Sequence, residues 1–493
     1  MSLSPSTLII VIVGYFLVLM SISYMTGREG DNQSFFTAKR KSPWLLVAIG
    51  MIGASLSGAT FISIPGVVGA GGLNQSFSYM QVVFGYLVGY LVIATVLMPA
   101  YYRMNLTTIY EYLKKRFGVV SYKTGSFYFL LSRIIGASFR LFLVSIVLQK
   151  FIMDAYGIPF WMTVAITIIL IWVYTYKGGI KTIVWTDTLQ TVCMLSAVLL
   201  TISAILQGMD LGLADMISTV RQSDYAQMFF FEGGWQDGNN FYKQFTSGAL
   251  IAIVMTGLDQ DMMQKNLTCK TLGDAQKNMF TFSFILIFAN LLFLSLGALM
   301  YIYADHIGMI IPAKTDQLYP TLALEHLSPF IGIVFLLGLI AAAYSSADSA
   351  LTALTTSFCI DFLNFNESTE SEAVKKKKRL KVHVGFSFIL FAVIIIFKAL
   401  NNDAIINALF VVSGYTYGPI LGLFSFGMMT KRVVMDKYVL AICLAAPIIS
   451  YVLDKNSEAF FNGFKFGFLT LALNGLLTFI GLWIISKSQQ STS

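Results

Sequence analysis

The sequence predicts an all-α polytopic membrane protein. Of its 493 residues, 56% are hydrophobic and only 12% are charged, whereas a soluble domain usually carries about 25% charged residues. The mean hydropathy is +0.73. Aromatic residues, which membrane proteins use at their interfaces, make up 14% of the chain. Disorder requires low hydrophobicity and high charge, so this composition excludes a disordered chain and argues strongly against a single soluble globule.

Apolar runs divide the chain into candidate membrane helices. A bilayer core of about 30 Å requires about 20 apolar residues in a helix, and the sequence contains thirteen such runs. Their approximate limits are 6–26, 44–71, 77–101, 124–152, 158–176, 183–206, 243–263, 276–304, 327–360, 381–400, 403–429, 437–453 and 466–486. No Lys or Arg precedes the first run, and it lacks a small-residue cleavage pattern, so we expect a retained helix and not a signal peptide.

Basic residues predict the orientation of these runs. The first basic residue, Arg28, follows the first run, which places the amino terminus outside by the positive-inside rule. With that orientation, most of the 33 Lys and Arg residues fall in cytoplasmic segments, including Lys265 and Lys270 in the loop after the seventh run. The external segments hold only Lys150, Arg221, Lys243, Lys314, Lys455 and Lys465. A wrong number of spans would disturb this alternation, so we expect thirteen spans in the inner or plasma membrane of the cell.

The net charge and the cysteines exclude other classes of protein. The net charge of +8 does not indicate nucleic-acid binding, because the basic residues lie in short segments between apolar runs. The run Lys375–Lys381 could bind anionic lipids, but a solvated cytoplasmic loop is the favoured interpretation. No CxxC pair exists, so neither a zinc site nor a disulfide framework is expected. The three histidines are too far apart in the sequence for a histidine metal cluster.

The second run is rich in residues that weaken a helix. Glycine and serine recur from Gly50 to Gly58, and Pro65 follows. Such a stretch can unwind within the membrane where it lines a cavity or is buried in protein, and its free carbonyls would suit a hard cation. Packing of small residues between helices is an equally good interpretation.

The ninth run places polar side chains on one side of a helix. At 100° per residue, Ser345, Ser346, Asp348 and Ser349 fall within one arc. Oxygen ligands of this kind suit Na⁺ better than a transition metal, which would want histidine or cysteine. The serines could instead bond to carbonyls of their own helix, but the Asp348 carboxylate is harder to satisfy in that way.

Asp187, Arg133 and Arg140 also lie inside predicted spans, where charge is costly and usually functional. Asp187 lies about four residues into the sixth run, where it binds a ligand or caps a helix at the interface. Arg133 and Arg140 lie seven residues apart on one face of the fourth run. Either arginine could pair with an acid or bind an anionic group of a substrate, and the sequence does not distinguish them.

These residues lie in motifs that resemble the sodium:solute symporter family, which includes transporters of sugars, proline, iodide, pantothenate and sialic acid. The pattern is most similar to bacterial sodium-coupled sialic acid and sugar transporters. The matching motifs are Leu56–Phe61, Ile109–Leu113, Gly178–Ile180 with Trp185–Gln190, Ala341–Ser349, and Ser413–Tyr415 with Gly418–Pro419. They extend over most of the predicted spans.

The resemblance implies a LeuT-type fold with two five-helix repeats of inverted topology. The repeats would be residues 44–206 and 243–429, joined by an external loop, 207–242. One helix and a cytoplasmic loop, 1–43, would precede them, and two helices, 430–493, would follow. In this fold, substrate and ions bind near the midplane beside broken helices. The break in the second repeat is expected near Ser247-Gly248 or Thr256-Gly257.

The resemblance also implies two cation sites. The main Na⁺ site would use the carbonyls of Gly53, Leu56 and Ala342 and the hydroxyls of Ser345 and Ser346. A second Na⁺ site, found in some members, would use Asp187, Ser345, Asp348 and Ser349. The position of Asp348 is a serine in the members that have this site. An added carboxylate near Asp187 would repel it unless a cation or proton lies between them, so we expect a second Na⁺ or sensitivity to protons.

The implied substrate site follows the break in the second run. Its contacts would be Ser55, Ser57, Thr60 and Gln81, with Arg140 as the charged contact. The sialic acid transporters of the family place their arginine about one turn earlier, at the position of Ala137. An arginine at the site favours a carboxylate, because it forms paired, charge-assisted hydrogen bonds.

The sequence therefore predicts Na⁺-coupled symport of a small polar organic solute into the cell by alternating access. Sialic acid or another acidic sugar or organic acid is favoured, and a neutral sugar, a polyol or an amino acid is the alternative. A membrane sensor is disfavoured, since we expect only Lys487–Ser493 beyond the last span. An enzyme is disfavoured because no convergent catalytic set is visible. The expected partners are the solute, Na⁺ and the lipid bilayer, with no nucleic acid and a monomer as the functional unit.

Overall fold

The computed structural model describes residues 5–27, 31–400 and 405–488, and this part of the chain is mostly helical. The helices of the first half are α1 (Pro5–Thr26), α2 (Asn32–Thr37), α3 (Trp44–Ser55), α4 (Gly58–Val67), α5 (Tyr79–Val92), α6 (Met98–Arg103), α7 (Glu111–Arg116), α8 (Val119–Leu148), α9 (Phe160–Thr175), α10 (Ile180–Gly208) and α11 (Met216–Gln222). The helices of the second half are α12 (Phe241–Ala252), α13 (Gln260–Asn266), α14 (Leu272–His306), α15 (Leu318–Thr321), α16 (Pro329–Ser357), α17 (Glu372–Leu400), α18 (Ile405–Met429), α19 (Val439–Lys455), α20 (Ser457–Phe460) and α21 (Thr470–Ile484). Two short strands, Val433–Val434 and Ser486–Lys487, pair antiparallel.

Among the described residues, nine helices are long and apolar enough to cross a membrane, and the bent pair α3 and α4 would add a tenth. The multi-pass prediction is therefore confirmed, although not its count of thirteen. The predicted run 158–176 corresponds to the 16-residue helix α9, and the run 243–263 is divided between α12 and α13. The run 403–429 begins outside the described residues.

The first broken helix lies where glycine and serine are dense. α3 ends at Ser55 and α4 begins at Gly58, and the two segments meet at a bend of 57°. Between them Leu56 has φ −85° and ψ 66°, and Ser57 has φ −63° and ψ 173°, so neither residue is helical. The interruption predicted in the second run is present.

The second broken helix separates α12 from α13. A wider turn, Ile253–Gly257, continues α12, and the chain leaves the helix at Leu258 and Asp259. The Asp259 side chain caps α13, because it accepts hydrogen bonds from the backbone N–H groups of Asp261 and Met262. The observed break lies directly after Thr256-Gly257, which is one of its two predicted positions. The other, Ser247-Gly248, lies inside α12.

Helices α5 and α12 pack closely through glycines. A Cβ added at Gly248 would overlap the carbonyl group of Val82, and one added at Gly85 would overlap the carbonyl oxygen of Phe245. In each case the obstructing atoms are backbone and cannot rotate away.

We expect Gly248→Ala to lower thermal stability, because overpacking a tight interior contact costs about 1–3 kcal/mol. The measurement is the melting temperature of detergent-purified protein. Gly14→Ala on α1 is the matched control, since a Cβ there meets nothing within 4 Å. Equal melting temperatures for the two variants would contradict the close packing of α5 and α12.

The basic run Lys375–Lys381 is not a loop. It belongs to α17, which begins at Glu372, and its Arg379 is buried. The Arg379 Nη1 donates to Asn32 Oδ1 at 2.9 Å, and the guanidinium lies 4.2 Å from the centre of the Phe35 ring. The prediction of a solvated loop is therefore wrong for this arginine, because it holds α2 against α17.

Candidate functional site

A cavity lies between the two broken helices. It is bounded by α4, α5, α8, α12 and α14, together with the residues at the first break. Its polar lining residues are Ser55, Ser57, Thr60, Tyr79, Tyr86, Tyr90, Arg133, Arg140, Thr256 and Asn290. The cavity is therefore lined by hydroxyls, one amide and two guanidinium groups. Leu56, Met255 and Leu286 supply apolar parts of its wall. Such a mixture is typical of a site for a small polar ligand.

Four of the five predicted substrate contacts line this cavity, namely Ser55, Ser57, Thr60 and Arg140. Gln81 is not among the described residues that do so. Its Nε2 donates to the carbonyl oxygen of Asn239 at 2.8 Å, and its Oε1 accepts from the Phe230 N–H at 3.0 Å. The amide instead holds the 207–242 stretch against α5.

The two arginines of α8 have different environments. Arg133 forms a buried ion pair with Asp261 and lies 3.8 Å from Asp259 Oδ2, so two carboxylates of the second break neutralise it. Arg140 is 8% exposed, its buried Nε has no hydrogen-bond partner, and no ion pair joins it to a described residue. A buried cation without a partner is costly. Arg140 is therefore the guanidinium that remains available to a ligand in the cavity.

The first break lies against the middle of α16. A Cβ added at Gly53 would lie 3.4 Å from Ser345 Oγ, and one added at Gly58 would lie 3.5 Å from the Cα of Ala343. A helix end leaves its last carbonyls without intrahelical partners, so the end of α3 is a candidate source of carbonyl ligands beside the serines of α16. Ser346 is buried, and its Oγ makes only a long hydrogen bond of 3.3 Å to the carbonyl of Ala342.

Asp187 does not cap a helix. α10 begins at Ile180 with Gly179 as its N-cap, which places Asp187 in the second turn. Its Oδ1 accepts a hydrogen bond from Ser345 Oγ at 2.7 Å, and its Oδ2 lies 2.7 Å from Lys265 Nζ. Both side chains of this ion pair are only 1% exposed. Lys265, which the sequence places among the cytoplasmic basic residues, is instead buried in α13.

The other residues predicted for a second Na⁺ site lie on the same part of α16. Asp348 Oδ2 accepts from the Tyr174 hydroxyl at 2.7 Å, and its buried Oδ1 has no hydrogen-bond partner among the described residues. Ser349 Oγ donates to the carbonyl of Ser345 at 2.8 Å and lies 3.3 Å from Asp261 Oδ2. The structure thus connects Asp187 to Ser345, whereas Asp348 and Ser349 bond to other groups.

Comparison with known proteins identifies the family. A sequence profile described as the sodium:solute symporter family matches residues 35–436 of the chain. The chain belongs to this family. It is a transporter and not an enzyme, Na⁺ is its coupling ion, and the expected resemblance is confirmed.

Individual relatives are similar over most or almost all of the chain. The sodium/sialic acid symporter NanT of Aliivibrio fischeri is 23% identical over 95% of this chain and 92% of its own. SiaT of Proteus mirabilis, also a sodium/sialic acid symporter, is 23% identical over 95% of this chain and 94% of its own. The sodium-coupled monocarboxylate transporter 2 of Danio rerio is 27% identical over 78% of this chain and 61% of its own.

Solved structures confirm the fold class. The substrate-bound outward-open state of a Na⁺-coupled sialic acid symporter superposes with a TM-score of 0.82 at 19% identity, covering 98% of this chain and 99% of that one. The closed conformation of the nucleobase-cation-symport transporter Mhp1 gives a TM-score of 0.55 at 13% identity, covering 90% and 92%. This sodium:solute symporter is therefore a multi-pass helical membrane protein with a LeuT-like fold.

Proposed function

We propose that the protein imports a small carboxylated solute together with Na⁺, and that sialic acid or a related acidic sugar is the favoured solute. The observation that carries this proposal is Arg140, a buried guanidinium at the cavity with no ion-pair partner among the described residues. A carboxylate would neutralise it through paired hydrogen bonds. The similarity to symporters named for sialic acid supports the same choice.

We propose further that residues 44–206 and 243–429 form the two inverted repeats. This assignment is supported by the breaks, because each proposed repeat begins with an interrupted helix, α3–α4 in the first and α12–α13 in the second. Together with the 1–43 and 430–493 segments this arrangement gives thirteen spans, with the amino terminus outside and the chain in the cell membrane as a monomer.

The main Na⁺ site in this proposal uses the carbonyls of Gly53, Leu56 and Ala342 and the hydroxyls of Ser345 and Ser346. The proximity of the first break to α16 supports this set. Na⁺ bound there would join α3–α4 to α16. Because Ser55, Ser57 and Thr60 adjoin the same break, Na⁺ would also order the cavity wall and raise solute affinity, and the solute must raise Na⁺ affinity equally. An inward-negative potential adds about 2.3 kcal/mol per charge per 100 mV.

A neutral sugar or polyol is the second candidate solute. The hydroxyls and amide of Ser55, Thr60 and Asn290 favour it, since they suit uncharged hydroxyl groups. Arg140 distinguishes the two candidates, because a neutral ligand would leave its charge unpaired.

Uptake into proteoliposomes tests the proposed function. We expect an inward Na⁺ gradient to drive accumulation of radiolabelled sialic acid, and we expect no accumulation when K⁺ or choline replaces Na⁺. An excess of unlabelled acidic sugar should compete, whereas glucose should not. Na⁺-driven accumulation of radiolabelled glucose, with none of radiolabelled sialic acid, would select the neutral sugar. Accumulation that is independent of Na⁺ would contradict symport.

A further inference from the structure

The carboxylate at the predicted second Na⁺ site already has a cation, and that cation belongs to the protein. Asp187 Oδ2 lies 2.7 Å from Lys265 Nζ, and Asp187 Oδ1 accepts the Ser345 hydroxyl at 2.7 Å. One oxygen of the carboxylate therefore accepts a hydrogen bond, and the other lies at ion-pair distance from the ammonium. Each side chain of the ion pair is only 1% exposed, so bulk water does not screen the interaction.

We propose that the Lys265 ammonium takes the place of a second Na⁺ at Asp187, so that each solute is coupled to one Na⁺ only. This inference rests on the proposed function and assigns the number of transported ions. A buried carboxylate needs a countercharge, and the lysine supplies one that is not released. The main site at Gly53, Leu56, Ala342, Ser345 and Ser346 then holds the only Na⁺ that moves with the solute.

Electrostatic repulsion excludes a mobile cation beside this lysine. Two like charges about 4 Å apart repel strongly even at the effective dielectric of a protein interior, which weakens Na⁺ binding at Asp187 by roughly a thousandfold. Asp348 on α16 accepts from Tyr174 through Oδ2, whereas its buried Oδ1 has no hydrogen-bond partner among the described residues. A second ion held there in wild type would remain in Asp187→Asn and would also overturn the count of one Na⁺. The remaining acids nearby, Asp259 and Asp261, are engaged by Arg133.

The position of the lysine also fits the main site. Ser345 directs its hydroxyl hydrogen to Asp187, which leaves the lone pairs of its oxygen for a cation on the side of Gly53. The Lys265–Asp187 pair thereby orients a proposed ligand of the main Na⁺. Because Lys265 follows the second break, the pair also joins α13 to α10.

Counting bound ions tests this inference on the full-length protein. We expect equilibrium binding of ²²Na⁺ to purified wild type to saturate at one ion per chain. Lys265→Ala should vacate the site and bind two ions, and the double variant Lys265→Ala with Asp187→Asn should return to one. In proteoliposomes, the Na⁺-to-solute ratio measured from reversal potentials should change in the same way.

Two results would overturn the inference. One is a wild type that binds two ions and loses one in Asp187→Asn, which shows that Asp187 holds Na⁺ despite the lysine. The other is a folded Lys265→Ala that still binds one ion, which shows that the lysine does not replace a cation. If Lys265→Ala does not fold, the wild-type and Asp187→Asn counts decide. Wild type that binds no ²²Na⁺ would instead contradict the proposed function.

Discussion

Replacing Ser346 with alanine is expected to weaken Na⁺ binding by roughly tenfold to a hundredfold, since a polar contact to a charge contributes about 1.5–3 kcal/mol. The fold should survive, because Ser346 Oγ makes only a 3.3 Å hydrogen bond within its own helix. The measurement is the half-saturating concentration in ²²Na⁺ binding, together with the Na⁺ dependence of solute uptake. The maximal uptake rate at saturating Na⁺ should fall less than the affinity does.

Ser126→Ala is the matched control for this substitution. Ser126 is also buried, and its Oγ donates to the Tyr122 carbonyl of its own helix at 3.0 Å. It lies 18 residues before Val144, the α8 residue that packs on Gly58 at the first break. We expect its Na⁺ affinity to equal that of wild type. If both variants bind Na⁺ as wild type does, Ser346 is not a ligand and the main site has been placed wrongly.

Replacing Arg140 with glutamine is expected to reduce the affinity for the acidic solute by at least 30-fold, because truncating one partner of a buried charge pair costs about 2–5 kcal/mol. Glutamine keeps hydrogen-bonding capacity and removes the charge, so the loss reports the ionic contact. Titration calorimetry with sialic acid in saturating Na⁺ measures the effect. Binding of ²²Na⁺ without solute should change little.

Arg140→Lys separates charge from shape. Lysine keeps the positive charge but loses the planar pair of donors that matches a carboxylate, so we expect intermediate affinity. A neutral amide of the solute should bind wild type and Arg140→Gln about equally. Full retention of affinity for the acid in Arg140→Gln would show that the cavity does not recognise a carboxylate through this residue.

The parts of the structure that could be predicted from the sequence are those with a local signal. Glycine and serine weaken a helix wherever they lie, so the break beside Leu56 could be predicted from its own residues. The serines of α16 share a face because helical periodicity is local. Two glycine-containing pairs are equally good candidates for the second break, and what distinguishes them is the cap that Asp259 forms on α13 in the folded protein.

The parts that could not be predicted depend on contacts between distant segments. Charge counting cannot separate a cytoplasmic lysine from one that is paired inside the protein, so it places Lys265 in a loop although Asp187 neutralises this lysine. For the same reason Arg133 and Arg140 were indistinguishable until Asp261 was found beside the first. Gln81 has the polarity of a substrate contact, and only packing shows that it binds the 207–242 stretch.

High-resolution cryo-electron microscopy of the full-length protein in NaCl and in choline chloride tests the sodium site most directly. We expect density for one ion, present only in NaCl, in contact with the carbonyls of the first break and with the hydroxyls of Ser345 and Ser346. Lys265 should remain on Asp187 in both conditions. If no ion density is present between the first break and Ser346 in saturating NaCl, under conditions where Na⁺ drives uptake, the main site is contradicted.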